Sequence, residues 1–562
     1  MSIENSTWLR TSPWFTQYDE GQSHSIDPEF DHTLELFRAT VDRAPFAPLI
    51  EYFGFVTTAG ALDVQSDAFA AALVDSGIEP GDRVALFLQN VPQYEVALLG
   101  IWKASAIAVN VNPMNKAREL REILQDSGSR AIVYHRSLHG VVAEVIGETD
   151  VATTITVDIP DESVGAEVVR ERGDGPSYTA HDMSALITSF AGIAAPTHVS
   201  GPDDTAVLTY TSGTTGPAKG AMISHRNITY NVQALRNWIG LSARDTILGV
   251  SPLFHVTGLV GQIGLSLLSG APLILMHRFD PEKAVDIIST RKATFAVGSI
   301  TIFIAMMNAK NATRESLRSL EKIYSGGAPI PPALVERFES RFGHYIHNIY
   351  GLTETTSPTH CVPLHGRAPV DKETGATSVG VPIYGTEAQI LDEAGRQLPP
   401  GSVGELVIRG PQVVSGYWNN PEQSAATFVD GALRTGDIAY MDAEGWFYIV
   451  DRKKDQINAG GFKIWPREVE DVLYEHPAVR EAAVIGVPDE YRGETVKAFV
   501  SLQPGATAAP DELIEFVRDR MAAYKYPRQV EILPELAKTA SGKILRRNLR
   551  ETTPDSGPSG LG

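Results

Sequence analysis

The stretch AVLTYTSGTTGPAKG, Ala206 to Gly220, decides how the rest of the chain is read. Ala206–Tyr210 is a short run of apolar and β-favouring residues and predicts a strand. The ten residues that follow, Thr211 to Gly220, hold four hydroxyl side chains, three glycines and one lysine. Glycine lets the backbone turn sharply and come close to a ligand, and successive N–H groups in such a turn form a concave anion site. Thr211, Ser212, Thr214 and Thr215 add hydroxyls around Gly213, and Lys219 adds a mobile positive charge. A solvated loop has no use for that density, whereas a loop that grips phosphate does. The pattern differs from the P-loop, because no Ser or Thr follows Lys219 and no helical pattern opens at once.

Outward from this loop, short apolar runs alternate with amphipathic stretches. RVALFLQN, RAIVYH, APLILMH and TFAVGS read as buried strands, and YEVALLGIWKASAIAV as a largely buried helix. Such alternation implies βα units and largely parallel sheets. After Gly375 the turns become closely spaced and GTEAQILDEAGRQLPPGSVGELVIRG alternates as in a small antiparallel barrel. Beyond the charged run DRKKD the texture changes again: PREVEDVLYEHP and DELIEFVRDRMAAY predict helices, and EAAVIGVPD and TVKAFVSLQP predict strands. The expected fold is α/β: a large N-terminal domain of βα-layered sheets plus a small antiparallel barrel (1–450), a small mobile α+β C-terminal domain (451–548), and a polar, glycine-rich tail (549–562).

The remaining bounds are consistent with an enzyme of the cell interior. With 562 residues the chain can bury a large core in at least two domains. A net charge of −20 argues against non-specific binding to nucleic acid or to an anionic membrane surface. It leaves room for a local basic patch around a small anionic substrate. The single cysteine, Cys361, excludes an internal disulfide framework; a reducing cytoplasm is the expected location, and a buried or pocket-lining place is expected for its side chain. No secretory h-region and no apolar run long enough to span a bilayer is found. There are no internal repeats.

The loop resembles the phosphate-binding loop of the adenylate-forming superfamily, which includes acyl-CoA synthetases, luciferases and peptide-synthetase adenylation domains. Further segments follow in that family's order. IYSGGAPI resembles the adenine-side segment, implying that Gly326, Gly327 and Ala328 lie against the base. NIYGLTE (Asn348, Ile349, Tyr350, Gly351, Leu352, Thr353, Glu354) is similar to the motif whose tyrosine stacks on adenine. The resemblance implies that Thr353 meets the α-phosphate and that Glu354, with Thr211, holds Mg2+. A hard divalent cation bridging phosphates needs only one or two protein oxygens. LRTGDIAY implies Asp437 on the ribose hydroxyls, DRKKDQI implies Arg452 near ribose and phosphates with a hinge at Lys454, and KTASGKILRR ends the set with Lys543. Each match alone has a bland reading as a core aromatic, a turn aspartate or a solvated lysine. Six in order do not.

The implied reaction is attack of a carboxylate on the α-phosphate of ATP with loss of pyrophosphate, then attack of a thiol on the acyl-adenylate. Two anions must meet, so catalysis is positioning and electrostatic stabilisation. Lys543 is the candidate that bridges carboxylate and α-phosphate, and no nucleophilic side chain is needed. Gly460 and Gly461 resemble the lining of the pantetheine passage, and Lys525 is a candidate for the coenzyme's phosphates, with a solvated lysine as its alternative. His255 in PLFHVTGL stands where the family has a gate to the acyl pocket; a satisfied core histidine is the competing reading. Val256, Thr257, Gly258, Val297, Gly298, Ser299 and Ile300 resemble pocket-lining segments and carry no charge, which favours a hydrocarbon tail over an amino acid. Two departures from the family pattern cover three positions. Asn458 and Gly460 stand where the coumarate-ligase and luciferase branch has lysines, and Ala537 where many relatives have proline.

The expectation is an ATP- and Mg2+-dependent fatty acid–CoA ligase, most like bacterial medium- and long-chain enzymes, with coenzyme A as co-substrate. Alternatives are a fatty acyl-AMP ligase loading a carrier protein, a CoA ligase for an aryl, cyclic or steroid-derived acid, or a decayed nucleotide-binding scaffold. A homodimer and peripheral membrane contact stay open. Intact Lys219, Glu354, Asp437, Arg452 and Lys543 speak against decay.

Overall fold

The computed structural model describes residues 12–158, 180–197, 199–211, 218–372, 375–452, 455–459, 462–489, 492–539 and 542–551. Four sheets carry the architecture. A seven-stranded sheet runs in the order His181–Asp182, Thr153–Val157, Ala131–His135, Arg83–Phe87, Ile107–Asn110, Thr205–Thr211, Lys219–Ser224. It is parallel except for the last pair, an antiparallel hairpin in which Thr211 and Lys219 are Cα partners. The chain continues from Lys219 as a strand, in accord with the missing helix signal there.

A nine-stranded sheet has parallel strands at its centre, Lys322–Gly326, Phe295–Gly298, Ile247–Gly249 and Leu273–Leu275, with His347–Leu352 parallel on one side and Pro48–Tyr52 on the other. A curled antiparallel sheet follows, built from Glu387–Leu391, Gly404–Arg409, Phe428–Val429, Ala432–Met441 and Phe447–Arg452. The fourth sheet holds Ile457–Ala459, Phe462–Ile464, Val479–Asp489, Gly493–Leu502 and Gln529–Ile532, with helices Pro466–Glu475 and Pro510–Arg518. The reading of layered parallel sheets, a small antiparallel sheet and an α+β C-terminal part thus agrees with the fold.

Two boundaries differ from the sequence reading. The helix of YEVALLGIWKASAIAV ends at Lys103, and Ile107–Asn110 is a buried strand. The apolar run hides the break, which is made by Ser105 at φ 58. The helix of DELIEFVRDRMAAY stops at Arg518. Cys361 is fully buried, on the strand Ser357–Cys361.

The helices Ala59–Asp75 and Pro92–Lys103 meet where Gly100 gives way to Phe69: a Cβ at 100 would lie 2.7 Å from the Phe69 ring. At the far end Lys103 is buried between Asp63 and Asp67, at 2.7 and 2.5 Å. Its charge is thereby satisfied inside the core. Glu95, on the same helix, has no such company. It is 0 % exposed, and neither carboxylate oxygen has a hydrogen-bond partner among the described residues. Burial pushes its carboxyl up to about 8.

Candidate active site

At the base of the hairpin, the Lys219 ammonium lies 5.4 Å from the centre of the Tyr417 ring. The Tyr417 hydroxyl donates to Glu354 Oε1 at 2.7 Å. The segment carrying Tyr417 is zipped onto the outgoing strand: Trp418 N–H donates to the Gly220 carbonyl at 2.7 Å and Met222 N–H to that of Gly416 at 3.0 Å. Burial first, and then the Glu354 charge, push the phenol up, so it stays a donor. Sequence reasoning missed Tyr417. Its only signal is an aromatic pair after Gly416 in SGYWNN, with no charge to mark it. The calls at Ser212, Gly213, Thr214 and Thr215 lie outside the described residues, and so do Lys454, Gly460, Gly461 and the Arg452 side chain.

Across the cleft the strands Lys322–Gly326 and His347–Leu352 are neighbours in the nine-stranded sheet. Gly326 permits that closeness, since a Cβ there would sit 2.3 Å from the Ile349 carbonyl oxygen. Gly327 follows in the left-handed region at φ 76, and Ala328 is half-buried against the core. Tyr350 projects from the second strand, and its hydroxyl donates to Asp437 Oδ2 at 2.6 Å. Asp437, 4 % exposed, lies on the curled sheet in register with Arg452. The sequence places these residues 87 apart, and the fold brings them into one hydrogen bond. On the same strand, Asn348 Nδ2 donates to the Ser378 carbonyl at 2.9 Å, and Gly351 lets the chain pass Ser357, whose carbonyl oxygen would meet a Cβ at 2.0 Å.

Thr353 and Glu354 open a single 3-10 turn, Thr353–Thr355, directly after Leu352. The chain leaves it through Thr356 and Ser357, both at positive φ (51 and 82) without being glycine. Backbone held in this region persists only where its surroundings over-determine it. Here buried Asn231 donates to the Thr356 carbonyl at 2.6 Å, and the Thr356 hydroxyl to that of Gln412 at 3.0 Å.

His255 caps the turn Val256–Gly258, its Nδ1 accepting from Thr257 N–H at 3.2 Å. The ring proton therefore sits on Nε2. Burial first, then the positive charge of Lys543, push its pKa down to about 3, so the ring is neutral at pH 7. The one-turn π-helix Leu259–Gly264 follows, pressed so closely on Val297 that a Cβ at Gly261 would lie 2.8 Å from it. Lys543 reaches this place from the C-terminal part of the chain. A Cβ on Gly327 would be 2.8 Å from Lys543 Cε, so the lysine stem lies across that glycine.

The paired strands Lys322–Gly326 and His347–Leu352 thus connect three groups: Lys219, Tyr417 and Glu354; Tyr350 and Asp437; and Lys543 over Gly327 with neutral His255. Two ammonium groups suit an extended polyanion, and a buried aspartate suits vicinal hydroxyls. No three His, Cys, Asp or Glu side chains converge among the described residues. A cation here would be one shared with phosphate oxygens, which fits the lone carboxylate of Glu354 and the hydroxyl of Thr211. Lys525, the candidate for coenzyme phosphates, pairs with Glu468.

The fold, with a lysine from a C-terminal turn brought onto Gly327, is that of an acid-activating enzyme class. The chain belongs to the AMP-binding enzyme family: that family's profile matches residues 37–418, and the AMP-binding enzyme C-terminal domain matches 468–543. It is 36 % identical to the long-chain-fatty-acid–CoA ligase of Bacillus subtilis (strain 168), across 96 % of this chain and 98 % of that one. It is 34 % identical to a feruloyl-CoA synthase of Amycolatopsis, across 90 % and 96 %. Among solved structures, an anthranilate CoA ligase in complex with anthranoyl-AMP superposes with a TM-score of 0.84 at 27 % identity, covering 94 % of this chain and 98 % of the other. ATP-bound MatB from Rhodopseudomonas palustris gives 0.81 at 28 %, covering 93 % and 99 %. No helix among the described residues is long and apolar enough to cross a membrane.

Proposed function

We propose that this chain is an AMP-forming acyl-CoA synthetase acting on a fatty acid. The carboxylate oxygen attacks the α-phosphorus of ATP and the bond to pyrophosphate breaks. The sulfur of coenzyme A, its proton lost, then attacks the acyl carbon and AMP leaves. One observation carries the reading: Lys543 lies over Gly327 and within electrostatic reach of His255, at the end of the strand that pairs with the one carrying Tyr350 and its partner Asp437.

In this reading Tyr350 stacks on adenine while its hydroxyl fixes the Asp437 carboxylate for the ribose hydroxyls. Lys219 and the hydroxyls from Thr211 to Thr215 hold the β- and γ-phosphates. Tyr417 keeps Glu354 and Lys219 at a fixed separation. Glu354 and Thr211 would hold Mg2+, which neutralises phosphate charge when bound. Thr353 and Lys543 meet the α-phosphate, and the Lys543 ammonium touches both anions at once as a compact charge. Neutral His255 donates from Nε2 near the acyl carboxyl and adds no second positive charge to compete with Lys543. The body 451–548 carries Lys543 for the first step and Gly460 and Gly461 for the second, turning about Lys454 between them.

The deciding experiment incubates the purified protein with ATP, Mg2+, CoA and a panel of acids, and follows AMP and thioester. For fatty acids kcat/KM rises with chain length, each methylene contributing up to about 0.8 kcal/mol until the pocket is filled, and then falls. The feruloyl-CoA synthase relative supports a second reading, an aryl acid; a preference for ferulate or benzoate over every fatty acid would select it. Acyl-AMP that accumulates and that CoA does not discharge would select the carrier-loading alternative. For the nucleotide, Asp437→Ala lowers kcat/KM for ATP by about 10- to 100-fold, the cost of hydrogen bonds to a charged acceptor. An unchanged value in a folded variant removes Asp437 from the site.

A further inference from the structure

Hydrogen bonds join the described residues on either side of Lys543. Thr539 N–H donates to the Lys543 carbonyl at 2.7 Å, Gly542 N–H to that of Thr539 at 2.9 Å, and Lys543 N–H to Thr539 Oγ1 at 3.0 Å. Lys538 and Ile544 close the turn as a β-bridge, and Leu545 N–H donates to the Ala537 carbonyl at 2.8 Å. In such a turn, fixing Gly542 fixes the Cα of Lys543.

Gly542 is fixed from the other side of the cleft. The helix Ile300–Met307 begins after Ser299, and Thr301 Oγ1 donates to the Gly542 carbonyl at 3.0 Å. Ser299 Oγ lies 2.8 Å from Thr301 Oγ1. Thr301 has one hydroxyl proton and gives it to Gly542, so the Ser299 hydroxyl is the donor in that pair. The fit leaves no space: Gly542 is at φ 82, and a Cβ on it would lie 2.3 Å from Ser299 Oγ and 2.4 Å from Thr301 Oγ1. Ser299 belongs to a segment read from sequence as pocket lining, and its hydroxyl is turned to Thr301 and Gly542 instead.

We infer that Ser299 and Thr301 form a latch that seats the Lys543 turn, and that they are positioning residues for the acid–AMP step alone. The inference rests on the ligase reading, in which Lys543 serves that step and the small body moves away for thioester formation. A seat made of one directed hydroxyl relay and one glycine is strong enough to place an ammonium and weak enough to release it. A neutral hydrogen bond of this kind contributes little net stability, while loss of orientation is expensive in rate.

The test uses Thr301→Val, which keeps shape and removes the hydroxyl, Thr301→Ser, which restores it, and Gly542→Ala, which blocks the seat from the opposite side. Pyrophosphate release with acid and ATP, and thioester formation from supplied acyl-AMP and CoA, are timed separately, with folding checked by thermal melt. In the first half-reaction Thr301→Val falls about tenfold in kcat with KM for ATP and acid unchanged, Thr301→Ser recovers most of the rate, and Gly542→Ala falls at least about 100-fold. Thioester formation from acyl-AMP stays within about twofold of the parent in all three. Adenylation at the parent rate in Thr301→Val overturns the latch, and so does an equal loss in both half-reactions. A parent protein that releases no pyrophosphate with any acid overturns the ligase reading instead.

Discussion

Lys543→Ala loses acyl-AMP formation by a factor of about 10²–10³ while still converting supplied acyl-AMP and CoA to thioester. The asymmetry follows from geometry. The lysine stem lies over Gly327, and its charge is felt by His255; in the proposed reading this puts the ammonium between the acyl group and the nucleotide. That is where charge builds up when a carboxylate approaches a phosphate, and a donor aimed at developing charge is worth more than one aimed at the ground state. The second half-reaction discharges an acyl-phosphate bond that is already activated and needs no such bridge. Separate assays of pyrophosphate release and thioester formation read the two steps. Equal damage to both would show that Lys543 is structural.

Glu95→Gln stabilises the protein, and more so as pH rises. The Glu95 carboxyl titrates at about 8 in the folded protein against an ordinary value of 4.5. Between those values the unfolded chain has released the proton and the folded chain still binds it, so stability declines with rising pH across that window. The full effect is about 5 kcal/mol, reached near pH 8, since each pK unit is worth about 1.36 kcal/mol. Glutamine keeps the shape and cannot ionise. Melts at a fixed scan rate should show the variant several degrees above the parent at pH 8 and nearly level with it at pH 5. A pH-independent difference would mean that Glu95 finds a partner when it ionises.

Much of the candidate site can be proposed from sequence because phosphate chemistry leaves a dense local mark. TSGTTGPAKG announces itself within ten residues, and GG and NIYGLTE carry the glycines and hydroxyls that close approach requires. Tyr417 and Thr301 left no such mark. Each acts through a single hydroxyl, Tyr417 on Glu354 and Thr301 on Gly542, and those partnerships exist only after distant segments meet. The helix overrun at Ala104–Val109 has a different cause. A buried parallel strand and a buried helix share the same apolar composition, and one residue at positive φ is too small a break to show in sequence. Glu95 was passed over because a single carboxylate in an apolar helix looks like an exposed position until its burial is known.

The order of strands has a consequence for birth on the ribosome. The seven-stranded sheet is drawn entirely from Arg83–Ser224 and can close as soon as that stretch has emerged. The nine-stranded sheet cannot, because Ile50 pairs with Leu273, and the strand Pro48–Tyr52 must wait for about 220 further residues, on the order of ten seconds or more of synthesis. During that interval its open edge and the aromatic side chains beside it stay uncovered or are held by a chaperone. Stalled chains ending near residue 270, long enough for Ser224 to clear the ribosome and too short to supply Leu273, should keep the seven-stranded sheet under brief protease exposure and be cut within the first 60 residues. A strand made well before its partner is among the last to be sheltered.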